Sequence, residues 1–299
     1  MDRDTFIITV YCLVEVHYRY LTAACPIRPG GFVPQLSDVE VITMVICGEF
    51  FKLSRDTDLF AYFRAHYRSF FPALTDRTLF VRQAANLWQL QAAIQRRVVQ
   101  VSRHATAPVQ VIDTLPLPVC TYTRGGRRDH CFPGQADYGS CAAKQWHYYG
   151  FKLGVRVTRC GFIPHDPLLA ARPHAIQGLA TLVDGYAGGI IAADKGFIDP
   201  YQHAGLAAHQ GMHVVTPPRA RLPLTQPLCL VRACARWRKI VATGGSQLTE
   251  HFAVARIRVR DLWHLQYRRI RKVLAHPAGV CLNRQLGRQP LDFDGILLV

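Results

Sequence analysis

Acidic residues are scarce: 20 Asp and Glu stand against 36 Lys and Arg, a formal net charge of +16, with an isoelectric point near 9.7. So large an imbalance says nothing about fold, but it makes a polyanion the first partner to consider. Long apolar runs are missing too. The best candidate, Phe6 to Val14, stops at Glu15, well short of the roughly 18 residues a membrane helix needs. The start Met1-Asp2-Arg3-Asp4 lacks the basic opening of a secretory signal. The expectation is therefore a cytoplasmic chain, nucleoid-associated if bacterial, with no membrane partner. No C-x-x-C occurs among the ten cysteines, which in a reducing compartment are expected to be mostly buried thiols. Internal repeats and low-complexity tracts are also lacking. With 49% hydrophobic and 19% charged residues over 299 positions, the chain is globular and long enough for two domains.

The first hundred residues read as helices. Thr5 to Tyr20 is apolar at helical spacing, and Pro26, Pro29, Gly30, Gly31 and Pro34 make a loop. Ser37-Asp38-Val39-Glu40 is a capping box ahead of an apolar run through Phe51. A further amphipathic segment begins at Ser54, and one long helix is expected from Leu79 to about Val101. After Pro108 the pattern changes. Val109 to Ile112 is a short apolar run ending at Asp113, Tyr148 to Thr158 alternates at strand period, and Gly161 to Leu169 suits its hairpin partner. His174 to Tyr186 reads as helix, Gly189 to Ala193 as a buried strand ending at Asp194, 197–210 as helix and Met212 to Thr216 as strand. Arg232 to Val273 reads as helix again. The expectation is an α/β core behind an all-α N-terminal domain, divided as 1–105 and 106–299.

Two apolar strands run directly into aspartates, Asp113 and Asp194. The C-terminal ends of strands hold functional groups in α/β sheets, and two carboxylates brought together there repel unless a divalent cation sits between them. Aspartate also favours turn starts for backbone hydrogen-bonding reasons, and from the pattern alone the turn is the simpler reading. The charge is unevenly placed. Arg236, Arg238, Lys239, Arg256, Arg258, Arg260, Arg268, Arg269, Arg271 and Lys272 face only Glu250 and Asp261 within 236–272, with Trp237, Trp263 and Tyr267 interleaved. Phosphate contacts need such a surface, whereas a merely solvated face would mix signs. Cys120, Cys131, Cys141, His130 and Asp129 invite a zinc site, but their gaps are long and irregular, and incidental thiols fit better. The dispersed histidines, His17, His66, His147, His203, His209 and His251 among them, are given no catalytic role.

Several segments, in order, resemble bacterial insertion-sequence transposases. They are Val111-Ile-Asp113-Thr-Leu-Pro-Leu-Pro-Val-Cys120, Gly134-Gln-Ala-Asp-Tyr-Gly-Ser-Cys-Ala-Ala-Lys144, His147-Tyr-Tyr-Gly-Phe-Lys152 and Ala193-Asp194-Lys195-Gly196-Phe197. The likeness extends to Phe6–Val14, Leu36–Val41 and Phe80–Trp88. It is nearest to the group called insertion sequence nine-eight-two, of the DDE superfamily with an RNase H-like core.

The resemblance implies an RNase H-like mixed sheet flanked by helices. It implies a DNA-end-binding role for residues 1–105 and a catalytic domain at 106–299 with basic C-terminal helices. Two aspartates and a glutamate would hold two divalent ions, Mg²⁺ or Mn²⁺, for in-line phosphoryl transfer on double-stranded DNA, both the element's terminal repeats and its target, by a homodimer on paired ends. Asp113 and Asp194 match the two aspartates, and Lys152 and Lys195 join the implied DNA contacts.

The third acidic position departs from the pattern. The family's Arg-x-Ile-Val-Glu-Thr-Val-x-Ser-Gln-Leu-Thr-Glu is here Arg238-Lys-Ile-Val-Ala242-Thr-Gly244-Gly245-Ser-Gln-Leu-Thr-Glu250. Glu250 lies eight residues on, about 12 Å of rise and roughly 80° of rotation away, so it is expected to miss a site built for position 242. Two other positions also differ: Ala175 follows His174 where aspartate is common, and Gly154 stands where histidine often follows the Tyr-Gly-Phe-Lys-Leu run. The alternative that follows is a catalytically inactive DNA-binding remnant.

Overall fold

The computed structural model describes residues 1–25, 30, 33–125, 132, 134–141, 145–218 and 226–297. It divides into two compact units, one formed by Met1–Val98 with Leu262–Val299 and one by Val99–Asp261.

The first unit is helical. Its described helices are α1 (Arg3–Ala24), α2 (Asp38–Phe50), α3 (Asp56–His66), α4 (Arg77–Asn86), most of α5 (Trp88–Val101) and, from the far end of the chain, α9 (Leu262–Gln285). The capping box forms as the sequence demands. The Glu40 N–H donates to Ser37 Oγ at 3.2 Å and the Ser37 N–H to Glu40 Oε2 at 2.7 Å. Nearly every residue of α2 is buried, which makes it the central helix of the unit, packed by α1, α3, α4 and α9. The single helix expected over 79–101 is two, because the backbone breaks at Leu87, the C-cap of α4.

The second unit is built on a mixed sheet. Its strands are β1 (Val109–Cys120), β2 (Asp137–Cys141), β3 (Trp146–Thr158), β4 (Leu168–Ala170), β5 (Gly189–Ala192) and β6 (Met212–Val215). The order is β2-β3-β1-β5-β6, with β4 also on β3. Pairs β1–β3, β2–β3 and β3–β4 are antiparallel, while β1–β5 and β5–β6 are parallel. α6 (Leu179–Val183) and α7 (Pro200–Gln210) connect the later strands, and α8 (Leu228–Ser246) follows β6.

Alternation along β1 sorts its faces. Ile112 joins Leu179, Leu182, Ile191, Phe197 and Met212 in the core under α6. Leu115, on the other face, meets α8 at Gly245. Gly154, on β3, leaves room for Leu182 of α6, which a Cβ would crowd at 2.6 Å.

Further expectations are corrected. β1 does not stop at Asp113 but runs to Cys120 against β3. The helical run from Arg232 to Val273 is broken: α8 passes into a π-helical turn at Gln247–His251, and α9 begins only at Leu262. The C-terminal helix also belongs with the helical unit and not with the sheet. The reason is electrostatic as well as apolar. Arg271, on α9, is buried between Glu49 and Asp56, with Nη1 2.8 Å from Asp56 Oδ1, and Lys272 Nζ is 2.7 Å from Glu49 Oε2. These cations satisfy carboxylates that would otherwise be buried alone. Among the described cysteines, Cys47 and Cys234 are buried while Cys12, Cys25 and Cys229 are exposed, so mostly buried thiols are not what the structure contains. Cys131, His130 and Asp129 lie outside the described residues.

Candidate active site

The site grows from the parallel pairing of β1 and β5, whose ladder ends at Val111↔Ala192. Two residues further on, Asp113 lies within β1 and Asp194 just past the end of β5, close enough for the charge of Asp194 to act on Asp113. Each carboxylate is oriented by its own backbone. Asp113 Oδ1 accepts from the Thr114 N–H at 2.7 Å, and Asp194 Oδ1 accepts from the Gly196 N–H at 2.8 Å as it caps a short 3₁₀ turn. The turn chemistry and the pairing therefore coexist. Oδ2 of each accepts no hydrogen bond from any described residue.

Burial pushes the Asp113 carboxyl up to about 6, and the negative charge of Asp194 adds to the rise. The Thr114 N–H and the Arg238 guanidinium act in the opposite sense. Two hard oxygen donors that repel each other, each with a lone-pair oxygen to spare, form a donor set suited to a divalent cation.

α8 passes over this face. Cys234 Sγ lies 3.4 Å from the Val215 carbonyl oxygen and 3.8 Å from that of Ala193, Arg238 is felt at Asp113, and Gly245 meets Leu115. The helix thus crosses from β6 and β5 to β1. Ala242 is exposed one turn beyond Arg238 and offers no ligand. Glu250 is exposed on the π turn. Among the described residues no three His, Cys, Asp or Glu side chains are grouped to hold a metal ion.

The basic residues divide into two sets. Arg236, Lys239, Arg256, Arg258, Arg260 and Lys195 are exposed, and Arg238 is half-buried. Arg232, also exposed and outside the basic run of 236–272, lies one turn before Arg236 on the outer face of α8, where its i−4 spacing extends the row of cations. Four of the expected DNA contacts are corrected. Arg269, Arg271 and Lys272 are buried, and Arg268 pairs with Asp56 at 2.8 Å. Their charge is spent inside the helical unit. Lys152 is half-buried and donates to the Pro173 carbonyl oxygen.

The site is thus a pair of neighbouring carboxylates on a mixed sheet, crossed by a helix that carries exposed cations. A family model described as a transposase DDE domain matches residues 103–262, more than half of the chain and nearly the whole sheet unit. The chain belongs to this transposase DDE-domain family. No curated protein and no solved structure matches it. No described helix is long and apolar enough to cross a membrane.

Proposed function

We propose that the chain is an insertion-sequence DNA transposase of the nine-eight-two group, with an RNase H-like sheet and Asp113 and Asp194 as its cation ligands. The observation that carries the reading is the closeness of the two aspartates, one within β1 and one just past β5, inside the family-matched region. Bound there, Mg²⁺ or Mn²⁺ would polarise the scissile phosphodiester and its attacking water or 3′-hydroxyl. The chain's own residues do the rest. The Thr114 and Gly196 N–H groups hold the carboxylates in place, and Arg238 offsets their charge. The exposed ridge Arg232, Arg236 and Lys239 lies along duplex DNA, with Arg256, Arg258, Arg260 and Lys195 in support. Terminal repeats and target are the DNA partners, held by a homodimer.

A second reading, the DNA-binding remnant, is favoured by one specific feature. Position 242, where the resembled family carries its third acidic residue, sits one turn past Arg238 on α8 and is an exposed alanine. Two carboxylates suffice for one Mg²⁺ with waters, but a second ion has no third carboxylate to fix it. The deciding experiment is a Mg²⁺- and Mn²⁺-dependent cleavage assay on the flanking DNA ends, comparing the chain with Ala242→Glu. We expect feeble cleavage by the unmodified chain and at least about a tenfold gain, some 1.4 kcal/mol of barrier, for Ala242→Glu. Cleavage that Glu250→Gln abolishes would place the third ligand at Glu250 instead. If neither protein cleaves but both bind DNA, the remnant reading stands.

A further inference from the structure

Asp194 is presented by a short turn between β5 and α7, and that turn is held at both ends. At its head Asp194 caps the 3₁₀ turn Lys195–Phe197. Its Oδ1 accepts from the Gly196 N–H at 2.8 Å, and its carbonyl oxygen accepts from the Phe197 N–H at 3.2 Å. At its foot the Phe197 ring joins the core cluster that also contains Ile112, the residue before Asp113. There is little slack between: a Cβ at Gly196 would stand 3.0 Å from Asp194 Oδ1.

The Phe197 carbonyl needs a partner of its own. The last carbonyls of a helical turn have none within it, and Phe197 is only 1% exposed, so solvent does not supply one. Among the described residues that oxygen accepts a single hydrogen bond, from His203 Nε2 at 2.7 Å. A carbonyl oxygen can only accept, so Nε2 carries the proton.

His203 stands on the first turn of α7, where Asp199 already caps the Tyr201 and Gln202 N–H groups. α7 has no fully buried residue. The imidazole makes the one hydrogen bond between α7 and the Asp194 turn among the described residues.

We infer that His203 is a positioning residue for Asp194: by holding the Phe197 carbonyl it fixes the turn that presents the carboxylate. This role rests on the reading of Asp113 and Asp194 as cation ligands. Groups behind a metal ligand set its affinity, because a carboxylate that wanders must be ordered when the ion binds.

The test uses the full chain and Mn²⁺ alone, with free Mn²⁺ measured by its electron paramagnetic resonance signal. Asp194→Asn removes the ligand and should abolish binding at the site. His203→Gln and His203→Met are the deciding pair. They are alike in length and helix propensity, but only glutamine can donate to the carbonyl. His203→Gln should bind Mn²⁺ within about threefold of the unmodified chain, and His203→Met at least about tenfold more weakly. Thermal melting checks that both are folded. Should His203→Met not fold, His203→Asn, polar but too short to reach, takes its place with the same expectation. Gly196→Ala crowds the carboxylate directly, so adding His203→Met to it should cost much less than His203→Met alone, since both act through one turn. Equal affinity of the glutamine and methionine variants, or strictly additive losses, with Asp194→Asn still lacking the site, would overturn the positioning role and leave the cation site standing. Mn²⁺ binding that survives Asp194→Asn, or none by the unmodified chain, would overturn both.

Discussion

At the scale of single residues, two buried carboxylates behave in opposite ways, and the difference can be measured. Asp113 has its carboxyl raised to about 6, first by burial and then by Asp194. Its folded value lies above its unfolded value of about 3.9. Its contribution to stability is therefore full below about pH 4 and is lost as pH rises through 6. At pH 7 the ionised group opposes folding by about 2 kcal/mol, two pKa units reduced for residual solvent. Asp113→Asn should accordingly raise the thermal midpoint at pH 7, by very roughly 4–8 °C, with the gain vanishing toward pH 4, while any cleavage is abolished. Calorimetry across that pH range checks it.

Glu49 is the reverse case. Burial alone would raise it, but Arg271 and Lys272 hold it below the usual carboxylate range. Its stabilisation is present at neutral pH and is lost as pH falls through its lowered value. Glu49→Gln should leave two buried cations short of a partner and destabilise the helical unit by about 3–5 kcal/mol, measured by urea unfolding at pH 7. The apolar runs ahead of Asp113 and Asp194 made their strands legible, but that pattern alone read as turn starts, and only the resemblance singled the two aspartates out. The roles of Arg271 and Lys272 were not legible. Their partner Glu49 lies 222 and 223 residues away in the chain, and a charge count cannot tell a solvated cation from a paired one.

At the scale of elements, the strand carrying Asp113 depends on the closeness of its neighbour. A Cβ at Gly150 of β3 would run into the carbonyl oxygen of Leu117 on β1, beside the irregularity at Pro118/Cys120. A backbone obstacle cannot rotate away, so Gly150→Ala should cost about 3 kcal/mol in unfolding free energy, at the upper end for overpacking. Far-UV circular dichroism in a urea series would show it. The length of β1 was hidden by Pro116 and Pro118, which read as an end to the strand. Prolines are tolerated there because β5 pairs only as far as Val111, leaving the later half of β1 edge-like on that side. The capping box of α2 could be read directly, since it is a local reciprocal bond. The gap between α8 and α9 could not, because Phe252 to Asp261 keeps the composition of a helix while its backbone turns through an αL residue at Ala253.

At the scale of the whole molecule, a net charge of +16 suggests one extended DNA surface, but the structure distributes it unequally. Replacing Arg236, Lys239 and Arg258 by alanine should flatten the salt dependence of DNA binding by up to about three units. Replacing Arg271 by alanine should instead lower stability, as Glu49→Gln does, and its effect on DNA binding should follow the loss of fold. Anisotropy and urea unfolding on the same preparations separate the two. Alternation and apolar runs made the α/β core legible, because strand period is a local property. Which unit claims the final helix is decided by buried partners far away in sequence.

That arrangement has a consequence for synthesis. The sheet unit is continuous and can fold once it clears the ribosome, whereas the helical unit is encoded in two pieces on either side of it. At roughly 5–20 residues per second, α2 waits about 10–45 s for α9. During that interval Glu49 and Asp56 have no arginine, and the apolar surface that α9 will cover is open to chaperones or proteases. A nonsense mutation just after residue 261 would spare both aspartates and the whole sheet, yet it would release a protein whose first domain can never finish folding. For a mobile element, a late stop codon would then be as disabling as an early one.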